Sequence, residues 1–331
     1  MGIFNRKKKW ENFNGNINIY SDLKKPDIPK IIAEENIYSL QLFEFKSPNN
    51  QTWETMNELF KKYPEIGLRI VWYHTQDLSF YSQIPNIRNF TISSFNTKDY
   101  SKLQSNTKLK HFGIEETKSK AVDLSFIKEF KGLESLYVNG MKKGLENAKH
   151  LPNLKTLTFR GVKLDDLNFL TELNKLQELN LLFGSYKNLD SISKLKGLKS
   201  IEFSRVRQIP NFDFLNSLEN LEKMEFEGMS KMESIPDLSK LEKLKRIHIH
   251  NNLRLKNIKP VGEIPNLKLL QLSFAENSKS SERKSLISQS VEILMKSKSI
   301  EYTNILHWTD EKTTKELIEK GIKMWSWDIK I

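Results

Sequence analysis

One spacing recurs along most of this chain. The frame L-x-x-L-x-L opens at Ile87, Leu109, Leu133, Leu154, Leu176, Leu198, Leu221, Leu244 and Leu267, at steps of 22, 24, 21, 22, 22, 23, 23 and 23 residues. Its clearest line is Leu154-Lys155-Thr156-Leu157-Thr158-Phe159. The second and third apolar slots hold Phe90/Ile92, Phe112/Ile114, Leu136/Val138, Leu157/Phe159, Leu179/Leu181, Ile201/Phe203, Met224/Phe226, Ile247/Ile249 and Leu270/Leu272. Alternation of this kind marks a short strand with one face turned inward and the other outward. A single repeat cannot bury its own apolar face, so neighbours must stack and share a ladder of parallel strands. The return halves carry a second apolar pattern, as in Leu164 to Leu173, and are punctuated by Pro152, Pro210, Pro236, Pro260 and Pro265. Short helical turns fit such halves better than long helices.

A period in the low twenties with this frame is the mark of leucine-rich repeats. The junctions Leu151-Pro152-Asn153-Leu154 and Ile264-Pro265-Asn266-Leu267 resemble those of the short bacterial repeats in internalin-like proteins. The resemblance implies an α/β leucine-rich repeat solenoid, a horseshoe with one parallel strand per repeat and irregular strand–helix caps at both ends. The chain departs from the family at the corner after the strand. There Phe95, Met141, Val162, Val206 and Met229 replace the usual Asn, and only Asn252 fits. Corner hydrogen bonds are therefore expected to be made differently, with irregular curvature.

Three regions follow from the pattern: 1–82 as N-terminal cap and irregular repeats, 83–274 as the regular repeats, and 275–331 as C-terminal strand–helix units capping the same solenoid. In the first, Asn16 to Tyr20 reads as a strand closing the stack and Ile37 to Phe45 as a frame match. Residues 51–62 place Trp53, Met56, Leu59 and Phe60 at helical spacing, and Leu68 to Tyr73 reads as a strand. In the last, 275–284 reads as a loop, 285–296 as a helix, 300–306 as a strand, 309–320 as a helix capped by Thr309 or Asp310 and ended by Gly321, and 322–329 as a strand sealing the end with Trp325 and Trp327.

Composition narrows function mainly by exclusion. The absence of cysteine excludes a disulfide scaffold, a Cys-held metal and a thiol nucleophile. It also separates the chain from bacterial effector ligases that carry such repeats and need a catalytic Cys. The start has a charged patch with no apolar run after it, and Arg6 spoils the myristoylation pattern at Gly2. No run approaches a membrane span. With its Lys- and Asn-rich composition the chain reads as bacterial and cytoplasmic. Its net charge of +12, from 53 basic against 41 acidic residues, raises nucleic acid as a partner, as does the cluster Lys7 to Lys9. Yet many lysines, such as Lys194, Lys196, Lys199, Lys240, Lys243 and Lys245, alternate with core leucines at repeat junctions and read as a solvated rim. The outward rows mix both signs and lack the aromatic platform of single-strand binders. No phosphate-binding loop, dinucleotide fingerprint, zinc-protease helix or nucleophile elbow occurs.

The outward positions carry what remains. The fifth slot of each frame gives Thr91, Gly113, Tyr137, Thr158, Asn180, Glu202, Glu225, His248 and Gln271, and the seventh gives Ser93, Glu115, Asn139, Arg160, Leu182, Ser204, Glu227, His250 and Ser273. Parallel strands lie about 4.8 Å apart, which sets Glu225 beside His248 and Glu227 beside His250. Two His and two Glu raise a divalent metal or a Glu–His acid–base pair. Against the metal stand the wide spacing of alternate strand residues and the lack of visible supporting groups, and against the dyad an open face that does not exclude water. Opposite charges on neighbouring strands also support a ladder without further purpose. His74, His150 and His307 have no companions that suggest a site. The expectation is a non-enzymatic protein–protein interaction scaffold, with no cofactor and no metal, whose concave face binds a protein through Tyr137, Arg160, Asn180, Glu202, Glu225, Glu227, His248 and His250. Resemblance adds the roles of adaptor, inhibitor or toxin-immunity protein. The alternatives are a basic protein associated with nucleic acid, or an enzyme whose site lies in the terminal units.

Overall fold

Each frame becomes a strand of four to six residues with its two inner slots fully buried, as the alternation requires. Leu157, Phe159, Leu179, Leu181, Ile201, Phe203, Met224 and Phe226 all have no exposed surface. Burying such a side chain contributes roughly 1.5–3 kcal/mol, so these inner rows dominate the stability of the fold. The computed structural model describes residues 8–43, 45–74, 77–209, 211–326, 329 and 331. Lys7 of the basic cluster, Pro210 and Trp327 of the expected cap lie outside them. The chain divides into two compact units, 1–154 and 155–331.

The first unit begins with strands β1 (Trp10–Phe13) and β2 (Asn16–Ile19), an antiparallel hairpin. Its turn is Asn14-Gly15, with φ of 52° and 87°, the left-handed pair that a two-residue hairpin needs. The sequence signal Asn-Gly was there to be read, and β1 is the strand that the reading above lacks. A Cβ at Gly15 would meet the carbonyl oxygen of Asn36 at 2.0 Å, so the position admits only glycine. Parallel strands follow in chain order: β3 (Ser39–Leu42), β4 (Gly67–Trp72), β5 (Asn89–Ser94), β6 (His111–Ile114) and β7 (Ser135–Asn139). Between β3 and β4 lies the expected helix, here Asn50–Lys62, where Asn49 Oδ1 accepts the Thr52 N–H at 2.8 Å and starts it. Its Trp53 stacks on Phe80 with ring centroids 4.4 Å apart. Later return paths are short 3₁₀ turns such as Ser101–Ser105 and Ser125–Glu129.

The second unit continues the pattern with β8 (Thr156–Arg160), the short return-side strands β9 (Lys163–Leu164) and β11 (Ser185–Tyr186), which pair with each other, and β10 (Glu178–Leu182). Next come β12 (Ser200–Ser204), β13 (Lys223–Glu227), β14 (Arg246–His250) and β15 (Leu269–Ser273). From β8 through β15 the main strands pair in parallel with every frame position in register. Corner bonds are indeed made differently. Gly161, Phe183, Arg205, Gly228 and Asn251 all have positive φ and donate their N–H to Leu182, Ser204, Glu227, His250 and Ser273 respectively, at 2.7–3.0 Å. Backbone thus does what an Asn ladder does elsewhere, and Met141, Val162, Val206 and Met229 are free to be buried. Asn252 keeps the side-chain form, accepting from Met229 N at 2.7 Å and donating to Phe226 O at 3.0 Å.

The C-terminal units differ from expectation in extent. The helix Ser280–Lys296 starts inside the stretch expected to be loop, with Arg283 tied to the Ala275 and Glu276 carbonyls at 2.8 and 2.7 Å. Strand β16 is only Tyr302–Thr303, because the Asn304 side chain takes over the pairing. Its amide donates to Leu272 O and its oxygen accepts Leu272 N–H, at 2.8 and 3.0 Å. The last helix, Glu311–Glu319, is capped by Asp310, which accepts the Thr313 N–H at 2.9 Å. Strand β17 is limited to Lys323–Met324. Among the described residues, no helix is long and apolar enough to cross a membrane.

Candidate functional site

On the outward face of the second unit, parallel register converts a sequence period into a row. Thr158, Asn180, Glu202, Glu225, His248 and Gln271 lie side by side on successive strands. A second row holds Arg160, Leu182, Ser204, Glu227, His250 and Ser273. Seven of the eight expected residues therefore share one face. Tyr137 belongs to the first unit, on β7 beside Gly113.

Glu225 is the centre. Its Oε2 lies 3.7 Å from His248 Nδ1 and 3.5 Å from Lys223 Nζ, and its Oε1 lies 3.9 Å from His250 Nε2. The facing His248 imidazole holds its carboxyl below the usual range, aided by Lys223 and His250 and opposed by burial. Glu202, one strand away, has no such partner among the described residues. Burial first, then the charges of Glu225, Glu227 and Glu178, push it up to about 7, with Lys223 pulling the other way. The two neighbouring carboxylates are thus driven apart, one ionised and one a proton donor near neutrality. Glu227 holds its register beside His250 but leans back instead, accepting from Ser204 Oγ at 2.7 Å and lying 3.8 Å from Arg205. Asn180 is spent on Thr158 Oγ1 and Glu178 Oε1, at 3.2 and 2.9 Å.

Two atoms in the row are buried with no hydrogen-bond partner among the described residues: His248 Nε2 and Gln271 Oε1. Both side chains belong to residues only 7% exposed, and they are register neighbours. His250 is better anchored, with Nδ1 2.9 Å from Ser273 Oγ, and burial lowers its proton affinity. Trp325, expected to seal the C-terminal end, sets its ring edge-on to His248 at 5.8 Å and so helps to wall this site.

Beside the rows lies a feature that the sequence reading missed. Phe183 follows β10 in the left-handed region, at φ 56°, and is 40% exposed. The guanidinium of Arg160 lies over its ring at 4.2 Å and that of Arg205 at 5.2 Å. The signal was present: Gly161 and Gly228 hold the same frame position in other repeats, whereas Phe183 and Arg205 are bulky residues where glycine fits.

The terminal units show helix-surface pairing where an enzymatic reading needs converging acids. Glu316 and Glu319 pair along their own helix with Lys312 and Lys315, at 4.0 and 3.9 Å.

Strand, corner and 3₁₀ return, repeated in register, define a leucine-rich repeat solenoid. The sequence matches no protein-family model and no curated protein. Solved structures do match. An internalin, InlF, of Listeria monocytogenes is similar over 93% of this chain and 90% of its own, with a TM-score of 0.54 at 14% identity. Internalin C2 of the same organism aligns over 62% of this chain and 84% of its own, with a TM-score of 0.46 at 19% identity. The Toll–Spätzle complex of Drosophila aligns over 88% of this chain and 40% of the matched chain, with a TM-score of 0.50 at 13% identity. At these identities the likeness is one of fold, and that fold is a leucine-rich repeat solenoid.

Proposed function

We propose that this chain is a non-enzymatic scaffold that binds a partner protein on the outward strand face of its second unit. The observation that carries the reading is the Arg160–Phe183–Arg205 stack. A bulky aromatic in the left-handed region costs on the order of 1–3 kcal/mol, and such strain clusters at sites of function. The ring stands exposed between two guanidiniums beside a half-buried polar row. Aromatic and arginine anchors dominate binding energy at protein interfaces. The fold supports interaction in general, and the Toll chain to which this one is similar was solved with Spätzle bound.

Within this reading the chain acts as an adaptor, inhibitor or immunity partner in the cytoplasm, with the ionised Glu225 matching a basic group on the partner and Glu202 offering a hydrogen-bond donor. The test is affinity capture from native lysate by wild type, Phe183→Gly and Arg160→Glu, each verified as folded by thermal melting. A stoichiometric protein held by wild type and weakened at least about tenfold by both variants supports the reading. Equal capture by all three moves the interface elsewhere. Recovery of nucleic acid with a steep salt dependence replaces the reading with the electrostatic one.

A further inference from the structure

His248 and His250 alternate on one strand, so both imidazoles leave the same face, and parallel register brings Glu225 beside them from the next strand. One ligating atom from each of the three lies within 4.8 Å of the other two. We propose that Glu225, His248 and His250 form a binding site for a divalent transition-metal ion of the zinc class, with a fourth position open to water or to a donor from a partner.

The distances leave room for an ion between the groups. At 3.7 and 3.9 Å, the carboxylate–imidazole separations are too long for hydrogen bonds. Bonds of about 2.0–2.1 Å to zinc put tetrahedral ligands roughly 3.3 Å apart, so small side-chain rotations close the site. Nitrogen and carboxylate donors with one open position are a set that zinc accepts.

The surroundings supply the support that sequence alone did not reveal. In the tautomer with its proton on Nδ1, His250 donates a hydrogen bond to Ser273 Oγ, 2.9 Å away, and Nε2 keeps its lone pair for an ion. A metal on His248 Nδ1 fixes the proton on Nε2, the buried atom that now has no partner. Gln271 on the neighbouring strand offers an unpaired acceptor of matching character. The competitor is Lys223, whose ammonium lies 3.5 Å from Glu225 Oε2 and must swing toward solvent when an ion enters.

The inference stands apart from partner binding, since the metal alone is the probe. Untagged protein, stripped with chelator, is titrated with Co²⁺ while visible absorption is read, and Zn²⁺ is then used to displace it. Wild type is expected to take up one equivalent with the intense bands of a four-coordinate site. Glu225→Gln and His250→Asn are expected to weaken uptake at least about 100-fold, and Ser273→Ala about tenfold, as loss of a supporting partner does. His150→Gln and His307→Gln should bind as wild type. Glu225→Gln is nearly isosteric and keeps the comparison sound should His250→Asn misfold. Absence of stoichiometric uptake by wild type, or uptake unchanged in Glu225→Gln, overturns the site. So does loss of uptake in the His150 or His307 variant.

Discussion

Across β2 to β6 of the first unit, outward side chains close on one another. Gln41 donates to Asn18 at 2.8 Å, Arg69 donates to Gln41 at 3.1 Å, and the same guanidinium reaches Glu115 at 2.9 Å across two strand spacings. His111 beside them lies 3.0 Å from Ser135 Oγ. The equivalent positions of the second unit carry Glu202 with a raised proton affinity, two buried atoms without partners, and a strained exposed ring. Backbone ladders and inner rows are alike in the two units. What differs is degree: among the described residues the first unit's outward row leaves one buried atom, Asn16 Oδ1, without a partner, whereas the second leaves His248 Nε2 and Gln271 Oε1 side by side near a carboxyl of raised proton affinity. Buried polar groups left unpaired cost about 1–3 kcal/mol each, so a surface that carries them is held for something other than stability.

Truncating inner-row residues tests whether the units differ only on their outward faces. Phe90 and Phe226 are both fully buried on inner slots. Phe90→Ala and Phe226→Ala should each destabilise their own unit by about 3–5 kcal/mol, read by native-state hydrogen exchange. A much smaller loss in the second unit would mean that its core, too, is loosely made.

Outward substitutions should then separate the units by sign. Arg69→Met removes the fork that joins Gln41 and Glu115 and should destabilise the first unit by about 1 kcal/mol, a modest figure because the pair is partly solvated. Gln271→Met deletes an acceptor with no partner among the described residues and should stabilise the second unit by about 1 kcal/mol. Denaturant melts of both variants decide this, and a loss in Gln271→Met would show that the amide is satisfied in solution.

Most of the fold was legible because a fixed period forces register: Leu157, Leu179 and Ile201 could only stack one way, and the pairings of Glu225 with His248 and Glu227 with His250 followed. The ends were less legible, since their limits depend on particular contacts. A side chain, Asn304, ends β16, and nothing in the alternation of 300–306 encodes that. At the site, register was readable but rotamers were not. Glu225 faces both imidazoles while Glu227 turns to Ser204, a choice set by which hydroxyl stands within reach. Phe183 was passed over because apolar frames draw attention to buried slots, although Gly161 and Gly228 at the same frame position mark a left-handed corner.

Glu202 gives the comparison a pH signature. Its folded value of about 7 lies above the ordinary carboxyl value of 4.5. Between those values the folded state holds a proton that the unfolded state has lost. This contribution to stability is therefore complete below about pH 4.5, declines as pH rises and is gone above about 7. Since Glu202 is only partly buried, solvent screening reduces the full linkage energy to about 1 kcal/mol. In chelator-treated protein, Glu202→Gln should flatten that decline and leave the variant more stable than wild type at pH 8. Melts from pH 4.5 to 8 read the slope, and parallel curves would place Glu202 in water.

Phe183→Gly should change stability least, because its terms oppose. Relief of a left-handed aromatic returns about 1–2 kcal/mol. Glycine in the unfolded chain takes back about 0.5–1 kcal/mol, and losing the stack with Arg160 and Arg205 takes about 0.5–1 kcal/mol more. The terms centre on zero and the net lies within about 1 kcal/mol of it, too little to unfold the chain, so partner loss in this variant reports on the surface and not on folding. Phe183→Val keeps the strain and loses the ring, and should cost about 1 kcal/mol. If glycine and valine destabilise alike, the ring is a structural prop of the corner, and the second unit's outward face resembles the first more closely than its unpaired atoms suggest.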